Sequence, residues 1–188
     1  MHSALRSQLR RLSADTVLRR FVGVALIAAL LDGVTKVIAV QTLGAVDWVH
    51  ISDRLGFMLV WNEGGAGGVS MGPATAQLNV LITVSALVLV ASVVRQLAAI
   101  DARATWALGL VSGGALGNLV SIVSGRKGVA DFIGMQLWGD LTIVANVADL
   151  MLWSGALWLA PVFANLLSRA REQRATRTAP AVPLQNPM

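Results

Sequence analysis

The chain has 188 residues, 55% of them hydrophobic and only 13% charged, with a mean hydropathy of +0.67; a soluble domain carries about 25% charge, so much of this surface is suited to lipid. With no cysteine and only His2 and His50 as histidines, disulfides, thiolate or histidine metal clusters, thiol nucleophiles and a serine–histidine triad are excluded, leaving carboxylates as the source of any chemistry, with no metal or cofactor expected. The net charge of +5 sits in clusters beside apolar runs, without the interleaved aromatics that base stacking needs, and so predicts a bilayer rather than nucleic acid as the partner.

Residues 1–20 read as a basic amphipathic segment, with Leu5, Leu9 and Leu12 at helical spacing and Arg6, Arg10, Arg11, Arg19 and Arg20 among them. It does not read as a cleavable signal peptide, because Asp32 and Lys36 interrupt the next apolar run and no small-residue cleavage site follows. That run, 21–40, matches the roughly 20 residues needed to cross a bilayer core of about 30 Å. In the following segment, 41–76, residues 46–51 and 55–61 have the composition of short strands and lead into the glycine-rich stretch 62–68. A small sheet lying on the membrane is expected there, with Trp48, Trp61 and Trp138 in the interfacial aromatic belt.

Further spans are expected at 77–97, 104–124 and 142–167. Arg95 and Arg103 flank the short second connection, and Arg169, Arg171, Arg174 and Arg177 follow the last span. These clusters place both termini in the cytoplasm and the segments 41–76 and 125–141 outside. The expected fold class is therefore an all-α polytopic membrane protein, with four transmembrane helices and a small extracytoplasmic β-strand region. Its parts are a basic cytoplasmic segment (1–20), a membrane domain (21–167) and a disordered cytoplasmic tail (168–188). No internal repeat suggests a transporter of inverted halves.

Charges inside spans are the informative residues, since each costs about 2.5–3.5 kcal/mol on insertion scales. Asp32 and Lys36 stand at i and i+4, and their simplest reading is a self-neutralising pair that locks the first helix into the bundle. Asp149 has Asn146 one turn before it and no cation on its own helix at that depth. Asp131 follows the third span, so both acids approach one level of the membrane. Two carboxylates at a partly desolvated site cannot both ionise readily. One keeps a proton while its partner acts as base, as in aspartic proteases. A proton- or ion-translocating pair has the same signature in sequence.

Several blocks, in order, resemble the lipoprotein signal peptidases (signal peptidase II). Asp32-Gly33-Val34-Thr35-Lys36 is similar to the family's D-x-x-x-K, and Asn62-Glu63-Gly64-Gly65-Ala66 to its N-x-G-A-A block. Gly113-Gly114-Ala115-Leu116-Gly117-Asn118, Val129-Ala130-Asp131-Phe132 and Asn146-Val147-Ala148-Asp149 complete the set. The resemblance implies an intramembrane aspartyl endopeptidase that removes signal peptides from diacylglyceryl-modified bacterial prolipoproteins in the inner membrane. It implies Asp131 and Asp149 as the catalytic dyad, Asn118 and Asn146 as groups orienting the dyad or substrate, Asn62 and Gly64 in an outer cradle, and Asp32 and Lys36 as supporting residues. Two departures stand out. Ser121-Ile122 replaces the usual Asp-Arg after the glycine–asparagine pair, with Arg126 and Lys127 the next cations, and Gly67 replaces an aromatic. A non-catalytic paralogue that binds lipidated signal peptides, and a small proton-coupled transporter, are the alternative functions.

Overall fold

Apolar runs long enough to cross a bilayer become four helices in the computed structural model, which describes residues 2–44, 48–124, 128–139 and 141–178. In chain order they are α1 (His2–Leu43), β1 (Val49–His50), β2 (Leu55–Asn62), α2 (Thr75–Ile100), α3 (Arg103–Val123), β3 (Val129–Gln136), β4 (Thr142–Ala145) and α4 (Val147–Thr178). Single 3-10 turns at 66–68 and 72–74 join β2 to α2. Side chains such as Leu26 and Leu30 on α1, Leu81 and Leu89 on α2 and Leu157 on α4 are exposed. On helices of this hydropathy they form a lipid-facing surface.

The helical bounds differ from the sequence expectation in three places. The basic segment 1–20 is continuous with the first span in α1. Helix α4 runs on to Thr178, so residues 168–178 are helical rather than disordered, while 179–188 lie outside the described residues. The fourth span begins at Val147 and not at 142, because Thr142–Ala145 is strand β4. The β-branched run Thr142-Ile143-Val144 favours a strand, and a short apolar run adjoining a helix has no period that separates the two.

The four strands form one antiparallel sheet in the order β1-β2-β3-β4. The pairing of Val60 with Asp131 and of Ile133 with Ala145 brings the ends of β2 and β4 to either side of Asp131. Of the first expected strand, residues 46 and 47 lie outside the described residues. Trp48 lays its indole across Gly56 and Gly134, which face each other on β2 and β3. It also donates to His50 Nδ1 at 3.0 Å. Trp138, at the β3–β4 turn, is 79% exposed.

Helix α3 is the axis of the bundle and packs against α1, α2 and α4. Gly113 meets Ala25 and Ala28 of α1, Gly114 meets the Ala148 carbonyl of α4, and Gly155 of α4 meets Ala107. Between lipid-embedded helices such close backbone approach supplies the van der Waals contact that drives association. The apolar cluster of Phe21, Val94 and Leu108 lies toward the end of the bundle remote from the sheet. The sheet end holds the buried Asp32, Lys36, Asp131 and Asn146.

Candidate active site

Two of the polar residues are placed by the start of α4. Asn146 stands immediately before the helix, and its Oδ1 accepts a hydrogen bond from the Asp149 N–H at 3.0 Å. The Asp149 carboxylate reaches back to the Asn146 N–H at 3.1 Å. This reciprocal arrangement is a capping box, which satisfies N–H groups that a helix start leaves unpaired. The remaining donor of Asn146, Nδ2, bonds Asp131 Oδ1 at 2.6 Å. One residue therefore touches both carboxyl groups.

Each aspartate has a second amide partner. Asn62, at the end of β2, donates to Asp131 Oδ2 at 3.2 Å. Asn118 of α3 donates to Asp149 Oδ1 at 3.1 Å. The orientation of Asn118 is fixed from behind, because Lys36 Nζ donates to its Oδ1 at 2.7 Å. Lys36 also pairs with Asp32 at 2.6 Å, and Asp32 Oδ1 accepts from the Ala148 N–H in the first turn of α4 at 2.8 Å. Asp32 is fully buried and Lys36 only 6% exposed. A charge so placed needs this complete set of partners.

Asp131 is buried, whereas Asp149 is half-buried. Burial pushes the Asp131 carboxyl above the usual carboxylate range. The Asn146 donor opposes that rise, the neighbouring Asp149 charge adds to it, and Asn62 and Lys36 oppose it in smaller measure.

All eight residues singled out in the sequence thus enter one hydrogen-bonded network. Gly64 joins it through its backbone, its N–H donating to Asn62 Oδ1 at 3.0 Å. Two contributors were not foreseen. The Ala148 backbone N–H could not be read from residue types. Gly117, quoted only as part of a motif, lies where a methyl group would overlap the Asp32 carboxylate. Its signal was the small-residue spacing of Gly113 and Gly117, which marks close helix contacts. Among the described residues, no three His, Cys, Asp or Glu side chains converge as a metal site would require. At the first departure, Ser121 Oγ bonds the Gly117 carbonyl of its own helix at 3.1 Å. Arg126 and Lys127 lie outside the described residues.

The profile of the family described as Signal peptidase (SPase) II matches residues 24–164, a stretch that contains the whole network. The chain belongs to the signal peptidase II family. It is 36% identical over 150 residues to the lipoprotein signal peptidase of Mycobacterium tuberculosis, covering 76% of this chain and 69% of that protein. To the lipoprotein signal peptidase of Chlorobaculum tepidum it is 33% identical over 159 residues, covering 77% of this chain and 94% of the relative. A solved bacterial membrane enzyme superposes with a TM-score of 0.66 at 25% identity, over 76% of this chain and 91% of its own. Another, at 22% identity and a TM-score of 0.64, covers 86% of this chain and 94% of its own and shares the fold. As a signal peptidase II, the chain is an aspartic-type peptidase of the bacterial membrane.

Proposed function

We propose that this protein removes signal peptides from diacylglyceryl-modified prolipoproteins with Asp131 and Asp149 as its catalytic pair. The observation that carries the reading is the single residue Asn146 bonded to both carboxyl groups. It holds two acids at one partly desolvated place, where they share a proton more readily than they both ionise.

The difference in burial divides the roles. Asp149 lies in the first turn of α4, whose positive end favours an anion, and serves as the base. Asp131, the more buried acid, keeps the proton. A water held between them gives a proton to Asp149 as its oxygen bonds to the scissile carbonyl carbon, while the Asp131 proton hydrogen-bonds the carbonyl oxygen. Collapse of the tetrahedral intermediate breaks the C–N bond, and the proton held by Asp149 passes to the leaving amine. Asn62, Asn118 and Asn146 keep both carboxyls in place throughout. Preorganisation of this kind avoids reorganisation during the reaction.

The arginine clusters at 6–20, 95–103 and 169–177 support a topology with both termini in the cytoplasm and the sheet outside. Reporter fusions after residue 100, at the C-terminus and within 41–76 test it, and an extracytoplasmic C-terminus would overturn it. The activity itself is tested with purified protein and a diacylglyceryl-modified prolipoprotein. Release of the signal peptide is expected, with none from the same substrate lacking the lipid. A wild type that binds the lipidated peptide without cutting it would favour the non-catalytic paralogue.

A further inference from the structure

The segment between β2 and α2 contains Gly64, Gly65, Gly67, Gly68 and Gly72, a composition that leaves the backbone free to take many conformations. It is nevertheless tied in one shape. Gly65 N–H bonds the Val69 carbonyl at 2.7 Å and Gly68 N–H bonds the Gly65 carbonyl at 3.0 Å, closing a small ring. Two side chains of α2 hold the residues on either side of this ring. Thr75 accepts from the Met71 N–H at 2.8 Å and donates to the Gly72 carbonyl at 2.6 Å. Asn79 donates from Nδ2 to the Gly64 carbonyl at 3.3 Å. Thr75 and Asn79 are four residues apart, hence on one face of the helix. An amide in a membrane-spanning helix is costly unless it has such a use.

Gly64 is also the residue whose N–H fixes Asn62 Oδ1. With that oxygen engaged, Asn62 can present only Nδ2 to Asp131 Oδ2. A hydrogen-bonded path therefore leads from α2 through Asn79, Gly64 and Asn62 to Asp131. It mirrors the path on the other side of the site, where Asp32 and Lys36 fix Asn118 against Asp149. We propose that Asn79 is a positioning residue for the peptidase reaction, holding the glycine-rich loop so that the Asn62 amide stays aimed at Asp131. The inference rests on the assignment of Asp131 to the dyad. No block of the family resemblance includes this position.

The consequence is specific. The Asn62 donor favours the ionised form of Asp131. The charged groups acting on Asp131 are Asp149 from α4 and Lys36 from α1, with Asp32 behind Lys36. Loosening the Asn62 contact while those remain raises the Asp131 titration midpoint and makes it a weaker proton donor.

The test replaces Asn79 by leucine, which keeps its approximate shape and suits an apolar helix, and by alanine as a second variant. In the full-length protein without substrate, the protonated-carboxyl infrared band that disappears in Asp131→Asn gives the Asp131 midpoint. Both Asn79 variants should raise it by about half to one pH unit, the size of one modest hydrogen bond. On lipidated prolipoprotein, kcat should fall about tenfold or more with KM changed less than about twofold, since a group positioned for the transition state is affected. An unmoved midpoint in a variant with wild-type thermal stability would overturn the inference, as would a raised KM with kcat intact. If the wild type fails to cleave, the peptidase reading fails, and the infrared midpoint still decides whether Asn79 acts on Asp131.

Discussion

Asn146 and Asp149 cap one another across the first turn of α4, with bonds of 3.0 Å and 3.1 Å running in opposite directions. A capping pair is ordinarily a device of stability, and here it doubles as half of the site. The rotamer of Asp149 is set by the same contacts that start the helix. The geometry of the proposed base therefore needs no support from a mobile loop.

That double role can be separated by two substitutions. Asn146→Ala removes both the cap and the donor to Asp131, so it should lower stability by about 1 kcal/mol and abolish cleavage. Asn146→Asp keeps an oxygen for the Asp149 N–H but replaces the Asp131 donor with a third carboxylate. Its thermal midpoint should lie closer to wild type than that of Asn146→Ala, while its activity is equally lost. Appreciable cleavage by Asn146→Asp would show that the bond to Asp131 is dispensable.

Lys36→Met should be more damaging to the fold. It leaves Asp32 buried without its counter-ion, a loss of about 3–5 kcal/mol when one member of a buried pair is removed. The Asn118 amide also loses the contact that holds its oxygen away from Asp149. A flipped amide would present oxygen to carboxylate. The double variant Asp32→Asn/Lys36→Met should recover much of the stability and little of the activity, since Asn118 remains unanchored. Recovery of both in a thermal-unfolding and cleavage comparison would reduce the pair to a structural role.

The sequence reading singled out Asp131, Asp149 and the asparagines that the structure gathers around them, because unpaired acids in apolar surroundings are conspicuous and their order along the chain matched a known pattern. It placed Asp32 beside Lys36 because four residues make one helical turn. It did not find β3 and β4. Thr142-Ile143-Val144 adjoins a membrane helix, and only pairing with β3 distinguishes a strand from one more turn of that helix. Nor did it find the use of Asn79, whose partner Gly64 is distant along the chain. An amide early in an apolar helix, following a run of glycines, was the available signal.

Gly117 offers a test of packing alone. An alanine methyl there would collide with the Asp32 carboxylate, whereas one at Gly33 would meet nothing within 4 Å. Gly117→Ala should cost about 1–3 kcal/mol through overpacking and displace the Lys36–Asn118 contact, with a loss of cleavage. Gly33→Ala should change neither property. Equal behaviour of the two variants would mean that α1 and α3 can separate without disturbing the site.

The unequal burial of the aspartates sets the expected pH profile. In the proposed mechanism Asp131 works protonated, and burial raises the pH at which it loses its proton. Activity should therefore persist below that midpoint and fall as pH rises through it. Measured as kcat/KM on lipidated substrate, which reports the free enzyme, the alkaline limb should coincide with the infrared titration of Asp131. Activity that instead rises as Asp131 ionises would exchange the two roles.

The last prediction concerns the third span, where this chain departs from its family. Ser121 turns its hydroxyl back to the Gly117 carbonyl, so at that position the helix offers no charge to a substrate. The dyad is supported from β2, α1, α3 and α4 without Ser121 or Ile122. The wild type should consequently cleave, and Asp131→Asn or Asp149→Asn should each abolish cleavage while leaving the protein folded. Asparagine keeps the shape of aspartate but cannot share its proton. Removal of one member should cost as much as removal of both, since the pair acts as a unit. Ser121→Asp with Ile122→Arg restores the family's usual residues and should keep or raise kcat/KM on a lipidated prolipoprotein. A wild type that is inactive until these two residues are restored would locate a lost turnover in the third span rather than in the dyad. If both forms bind the lipidated peptide and neither cuts it, the polar network serves binding, and the protein is a paralogue that captures signal peptides without hydrolysing them.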